Sequence, residues 1–308
     1  MKKIGLIFAF CLCSICAFGQ LIDNGPKLLI TDDMKYEQLR NALDLISDSS
    51  EMCDILKKEN PDIVKILQKW PPKFINDNTL SYKEKKARLR REYAPVIKYI
   101  KNFYSLPLKQ LETKHPSKAT YIGYCCKWHE TALAQRGSAN AQYALGTGLL
   151  DSFQGGTVEE NIKWLQFAGA QGITDSYLVL GEACYNHKLY KKAVEWFKIG
   201  ANAGNSNCMF RMGEFCIELR DAKTAMPWFE DAAKKEHYEA IRTCAEIYSN
   251  NYPPLIVCEK RPSVNYSLAI KYYLQLIEIE KRRNYAISKE NIAFYNGIIK
   301  ELQLKVED

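Results

Sequence analysis

The sequence predicts an all-α protein: an array of antiparallel helix pairs behind a non-repeating helical region. Three observations carry this. Trp164, Trp196 and Trp228 recur every 32 residues, in the look-alike segments Ile162-Lys163-Trp164-Leu165-Gln166, Val194-Glu195-Trp196-Phe197-Lys198 and Met226-Pro227-Trp228-Phe229-Glu230. A fixed period of this size marks stacked supersecondary units. A second phase alternates with the first and reads small-x-x-x-apolar-Gly: Ala141 to Gly146, Ser176 to Gly181, Cys208 to Gly213 and, with alanine in the last place, Ala240 to Ala245. Both phases space their apolar residues at helical intervals.

Taken in order, residues 1–19 read as a secretory signal. Lys2 and Lys3 precede the apolar run Ile4 to Ile15, and Ala17-Phe18-Gly19 forms a small-x-small site before Gln20. Ile15 and Leu12 are bulky where a lipidation motif at Cys16 or Cys13 needs a small residue, so the exported chain is expected to start at Gln20 without lipid. The run is too short to span a bilayer, and no later stretch is long and apolar enough.

Residues 20–118 read as helical and unrepeated. Asp32 or Asp33 could cap a helix through Leu45, and Ser50 another through Lys58. Pro61 suits the first turn of a third, ending near Trp70-Pro71-Pro72. Ser81 opens a long basic helix that must break or kink near Pro95, and Leu106 to Thr113 forms a short one. This region holds 19 Lys and Arg against 14 Asp and Glu, whereas 119–308 holds 22 of each, so the chain's basic excess lies before the repeats.

Residues 119–280 carry the helix pairs. Glycines 172 and 204 suit the left-handed position after a helix, with Glu236 in the equivalent place. The tryptophans are expected to be core, filling the gap beside small residues where two helices cross. Residues 281–308 form a final helix with Ile292, Tyr295, Ile298, Ile299 and Leu302 on one face and a polar back, as a terminal cap requires.

Leu-Gly in the first helix, Lys192-Ala193-x-x-Trp196 in the second, and Ala134-Gln135-Arg136-Gly137-Ser138-Ala139-Asn140-Ala141-Gln142-Tyr143-Ala144-Leu145-Gly146 together resemble Sel-1-like (SLR) repeats, relatives of tetratricopeptide repeats. Residues 265–273 resemble one more second helix with tyrosine in place of tryptophan. The resemblance covers about 120–280 and implies a right-handed α-α superhelix. The family's glycine-rich interhelix loop survives mainly at Gln154-Gly155-Gly156-Thr157, is shortened near Asn186 and Asp221, and is expanded over Asn250 to Val264.

Chemistry is sparse. His115, His129, His187 and His237 are scattered, without metal-ligand or HExxH spacing. Of eleven cysteines, three lie in the signal; the other eight include no CxxC pair, and most are expected to be buried thiols rather than bridges. No serine has lysine three residues on, the pattern of well-known β-lactam chemistry. A cysteine-rich repeat hydrolase or binder of β-lactam or cell-wall-like substrates therefore stands second to a binding scaffold. No catalytic residue, cofactor or metal is assigned. The basic segment 83–101 could touch an anionic surface, but without interleaved aromatics it reads as a solvated helix face and not a nucleic-acid site.

The tetratricopeptide resemblance also implies which residues line the concave face: those six and three before, and one and four after, the repeat glycine. In this chain the register selects Tyr143, Asp175, Leu178, Glu182, Tyr185, Phe210, Glu214, Ile217, Glu239, Arg242 and Glu246. Glu182, Glu214 and Glu246 would form an acidic rung beside an apolar stripe, and a partner protein or peptide would supply Lys or Arg to it. The expected function is an exported scaffold, periplasmic or secreted, binding protein through that face.

Overall fold

Fifteen α-helices make up the described structure, a computed structural model covering residues 33–50, 60–114, 127–148, 158–283 and 285–307. The signal segment, the expected Ser50–Lys58 helix, the glycine-rich loop, Cys53, Cys125, Cys126 and His115 lie outside these residues. Two compact units divide the chain between Ile173 and Thr174.

The first unit holds α1 (Tyr36–Ser50), α2 (Pro61–Leu67), α3 (Tyr82–Glu92), α4 (Ala94–Ser105), α5 (Leu108–Lys114), α6 (Lys127–Gln135), α7 (Ala139–Gly148) and α8 (Val158–Ala170). Ser81 starts α3 as expected, through a capping box with Glu84. Pro61 occupies the first turn of α2, and Pro95 the first turn of α4. The basic stretch is therefore two helices parted at Tyr93. α1 begins later than Asp33 would suggest, with the Lys35 N–H donating to Gln38 Oε1 at 2.9 Å. Leu39, Leu43, Ile46, Leu89, Ile100 and Leu111 share one core with Ala132, Leu145 and Trp164. That shared core is why the first repeat helices fold with the N-terminal region, and why the compact boundary falls at 173 and not near 118.

The second unit holds α9 (Asp175–Asn186), α10 (Tyr190–Asn202), α11 (Ser206–Glu218), α12 (Ala222–Lys234), α13 (Tyr238–Tyr248), α14 (Tyr266–Arg283) and α15 (Ser288–Glu307). Each helix packs on its sequence neighbours. The helix pairs interlock by one device. A Cβ on Gly181 or Gly213 would overlap the ring of Phe197 or Phe229, and in the first unit a Cβ on Gly146 would lie 2.5 Å from Leu165 Cγ. Leu165, Phe197 and Phe229 are 0, 1 and 0 % exposed. The expected knob was the tryptophan one residue earlier. Trp164 is buried, but Trp196 and Trp228 are only half-buried, and Trp196 stacks on Tyr177 at 6.3 Å. A helical step of 100° explains the shift: the next residue points into the crossing and the tryptophan lies along its edge.

Helix ends follow one rule. Gly137, Gly172, Gly204, Lys188, Arg220, Glu236 and Asn250 all have φ between 59° and 100°. At Lys188 the N–H bonds Tyr185 O at 2.8 Å while Leu189 N–H reaches Cys184 O at 2.8 Å. Those two bonds are a Schellman closure, repeated at the other six. The enlarged segment after Asn250 folds back as a 3₁₀ turn, Pro253–Val257, and makes a parallel β-bridge between Asp221 and Lys260.

α14 and α15 close the unit. Tyr295, Ile299 and Leu302 are buried, with Ile292 and Ile298 beside them, as the sequence suggested. Between the two helices the 2 %-exposed Glu280 accepts hydrogen bonds from Tyr238 Oη (2.6 Å), Ser288 Oγ (2.6 Å) and Asn291 Nδ2 (3.0 Å). Burial alone would raise this carboxyl, but the three donors outweigh it and hold it below the usual glutamate value. The back of α15 is not polar as expected: Phe294 and Leu304 are 65 and 66 % exposed. Among the described residues no helix is long and apolar enough to cross a membrane.

Candidate functional site

Of the selected residues, Asp175, Leu178, Glu182 and Tyr185 lie on α9, Phe210, Glu214 and Ile217 on α11, and Glu239, Arg242 and Glu246 on α13. Tyr143 belongs to the first unit, half-buried on α7. Ile217 departs from the expectation: it is 8 % exposed and packs in the core. Its position four after the glycine has turned inward, leaving the exposed place at the end of α11 to Glu218.

Glu182 and Glu214 share one arginine. Arg211 Nε lies 2.7 Å from Glu182 Oε1, Nη2 donates to Glu182 Oε2 at 3.0 Å, and Nη1 donates to Glu214 Oε2 at 2.7 Å. The same guanidinium sits 5.2 Å from the Tyr185 ring centroid and 5.7 Å from that of Phe197. One repeat further, on α13, Arg242 pairs with Glu239 at 2.5 Å and lies 3.8 Å from Glu246. The chain itself thus supplies the cations that were expected from a partner. Burial nonetheless pushes the Glu246 carboxyl above its ordinary value, Arg242 opposing the shift and Glu239 adding to it.

The apolar members are half-buried and partly engaged. Tyr185 donates to Glu218 at 2.7 Å and meets the edge of Tyr190 at 5.3 Å. Phe210 stacks on His237 at 4.8 Å and tilts against Phe229 at 5.5 Å. Leu178 packs against the core from the same side. Tyr252, from the enlarged segment, joins the neighbourhood of Glu214 and Glu246, and burial with those carboxylates pushes its hydroxyl to about 12.

Asp175 does structural work. Its Oδ1 accepts from Asn205 Nδ2 at 2.7 Å, and Asn205 Oδ1 caps α11 by accepting from Cys208 N at 2.9 Å. One period later His237 repeats the device. Its Nδ1 accepts from Ala240 N at 3.1 Å while Nε2 meets Asn207 Oδ1 at 3.0 Å, which assigns the proton to Nε2. Burial holds this imidazole below the ordinary histidine value, against the pull of Glu239.

Sequence reasoning missed Arg211, Asn205, His237 as a cap, and Tyr252. Asn205 and His237 lie one repeat apart, so the 32-residue period could have found them. Arg211 has no such signal, because its equivalents are Val179 and Thr243.

Other chemistry is muted among the described residues. Cys184, Cys208, Cys216, Cys244 and Cys258 are free thiols. Burial raises the first four, Cys208 to about 12, so they stay protonated and weakly nucleophilic at neutral pH. No three His, Cys, Asp or Glu side chains converge as metal ligands would. The 83–101 segment does not present one basic face either. Lys85 is buried with Nζ donating to Ile75 O at 2.8 Å, and Arg88 covers the Phe74 ring at 4.3 Å.

The architecture is that of an all-α helical-repeat protein. Among solved structures it is similar to a Sel1 repeat protein from Oxalobacter formigenes, with 19% identity and a TM-score of 0.41 over 55% of this chain and 75% of that one. It is also similar to c5321, a protective antigen of uropathogenic Escherichia coli strains displaying an SLR fold, with 17% identity and a TM-score of 0.43 over 87% of this chain. The match spans 54% of that antigen's length. Both are repeat proteins of the type that residues 134–146 and 192–196 resemble. No known family's sequence profile matches the chain, and no curated protein matches it.

Proposed function

We propose that the protein is an exported scaffold that binds another protein across the face built by α9, α11 and α13. The observation that supports this most is the composition of the face: half-buried Leu178, Tyr185 and Phe210 interleaved with the Arg211 and Arg242 ion-pair clusters. Aromatic and arginine side chains held in place beside apolar area are what binding surfaces favour. Because Arg211 already neutralises Glu182 and Glu214, the expected partner is an extended segment or helix with apolar anchors. A strongly basic peptide is not required. Export rests on Lys2, Lys3 and Ala17-Phe18-Gly19, and intact mass of the exported protein should place its first residue at Gln20 without acyl chains.

The test is affinity capture from the cell envelope with the parent and with a Tyr185→Ala/Arg242→Glu variant. A Lys198→Glu variant, exposed on α10, serves as control. A partner retained by the control and lost by the face variant supports the reading. Equal retention by both places the binding site elsewhere.

A further inference from the structure

We infer that the turns joining α9 to α10, α11 to α12 and α13 to α14 form one edge of the second unit, and that this edge docks on an anionic lipid surface. In an array of antiparallel pairs these turns all lie at the same end of the helices. Three hydrogen bonds tie them together: Tyr185 Oη donates to Glu218 at 2.7 Å, Glu259 N to Arg220 O at 3.0 Å, and Lys223 N to Lys260 O at 3.2 Å.

Charge singles this edge out. Residues 186–192, 218–223 and 250–264 hold seven Lys and Arg against three Asp and Glu, while the rest of the second unit holds twelve against fifteen. Two of the three acids are already engaged, Glu218 by Tyr185, and Asp221 by Lys260 and the Thr224 N–H. Lys188 with Arg220, and Lys191 with Lys223, recur at the 32-residue period. These four and Lys192 are exposed, and no carboxylate pairs with them among the described residues. Lys188 and Arg220 also hold the left-handed backbone that Gly172 and Gly204 take at the opposite edge. A cation thus stands where glycine would close the helix without strain.

Apolar side chains stand among these cations. Leu219, Ile256 and Val257 are 67, 76 and 58 % exposed, and Leu189 and Tyr190 are exposed on the same edge. The 3₁₀ turn is built to present its pair. Leu255 and Cys258 are buried beneath it, and Arg261 holds it closed, Nη2 donating to Ile256 O at 3.0 Å and Nε to Cys258 O at 3.2 Å. Apolar groups on turn tips protrude toward a plane, whereas a bound peptide needs a groove around it. Cations interleaved with aliphatic and tyrosine side chains match the two layers of a bilayer interface, phosphate over hydrocarbon. An acidic protein segment would satisfy the cations alone.

Cosedimentation of the chain from Gln20 onward with phosphatidylcholine vesicles, with and without about 30 % phosphatidylglycerol, tests this. Binding is expected only on the anionic vesicles and should weaken steeply between about 50 and 500 mM salt. Lys191→Gln/Arg220→Gln/Lys223→Gln should weaken it about a hundredfold, at roughly fivefold per cation. Leu219→Ser/Ile256→Ser should weaken it about tenfold. All five side chains are exposed, so melting temperatures should match the parent. Lys83→Gln/Arg91→Gln, exposed on α3 of the first unit, should bind as the parent does. No binding at about 1 mM lipid, tenfold above what one myristoyl chain needs, overturns the proposal. So does release by the Lys83→Gln/Arg91→Gln variant in place of the edge variants. Loss by the triple variant with indifference to Leu219→Ser/Ile256→Ser overturns it too, and points to an acidic protein segment instead.

Discussion

Phe229 of α12 fills the space that a side chain on Gly213 of α11 would need. The two residues lie sixteen apart, and Gly181 with Phe197 repeats the same relation one period earlier. Close approach of the helix backbones and burial of a whole aromatic ring are therefore one event. Gly213→Ala should cost about 1–3 kcal/mol through overpacking, and Phe229→Ala about 3–5 kcal/mol. Trp196→Ala should cost visibly less than Phe197→Ala, because Trp196 is only half-buried. Urea denaturation of the four single variants checks the order, and a Trp196→Ala protein weaker than Phe197→Ala contradicts it.

Lys188 holds a left-handed backbone that glycine adopts at no steric cost. A non-glycine residue there is strained by about 1–2 kcal/mol, partly offset by the extra freedom glycine gains when unfolded. Lys188→Gly should thus raise stability by about 0.5–1 kcal/mol, or roughly 1–4 °C in a thermal scan. Glu236→Gly should gain less, since Glu236 also pairs with Arg282 at 2.9 Å.

His237 must be neutral at Nδ1 to accept the Ala240 N–H. Burial lowers its folded value below the ordinary 6.5. A group depressed in the folded state contributes stability that is fully present above the unfolded value and is lost as pH falls through the folded one. Stability should decline from pH about 6.5 downward. Asparagine, a strong N-cap without a titrating group, should flatten that decline. Denaturation midpoints of the parent and His237→Asn between pH 7.5 and about 5 decide it, and parallel curves would refute the assignment.

Arg211→Lys should not be conservative. A lysine cannot span Glu182 and Glu214 while lying over both rings. The variant should lose about 1–2 kcal/mol, and Arg211→Met somewhat more, since two facing carboxylates are then left uncompensated. Reversal of Glu182, Glu214 and Glu246 to lysine should also destabilise the fold, because each glutamate faces an arginine of the chain itself. Thermal melts at low salt give the comparison.

The repeat architecture was legible in the sequence because a period is a property of spacing alone. Ser81, Pro61 and Pro95 were legible because capping and the missing proline N–H act locally. What escaped depends on direction across the array. Whether Trp196 or Phe197 enters the crossing turns on one helical step, which periodicity leaves free. The charge state of the rung turns on Arg211, a residue outside the repeat pattern that reaches back 29 positions to Glu182. Ile217 turned inward for the same reason: a register borrowed from a resemblance assigns a face but not the exact tilt of each helix.

The sixteen-residue step from socket to ring has a consequence for how such a chain can change. Gly181 would accept Phe229 as readily as Phe197, because the two sockets and the two rings are alike in shape and spacing. Excising the 32 residues from Glu182 to Gly213 would join Gly181 directly to Glu214 and leave Phe229 sixteen positions on. The shortened chain would rebuild the same joint from two halves that had never met. Insertions and losses of whole units are thus neutral at the joint, so the reach of the array can be lengthened or trimmed by recombination without redesigning a single contact there.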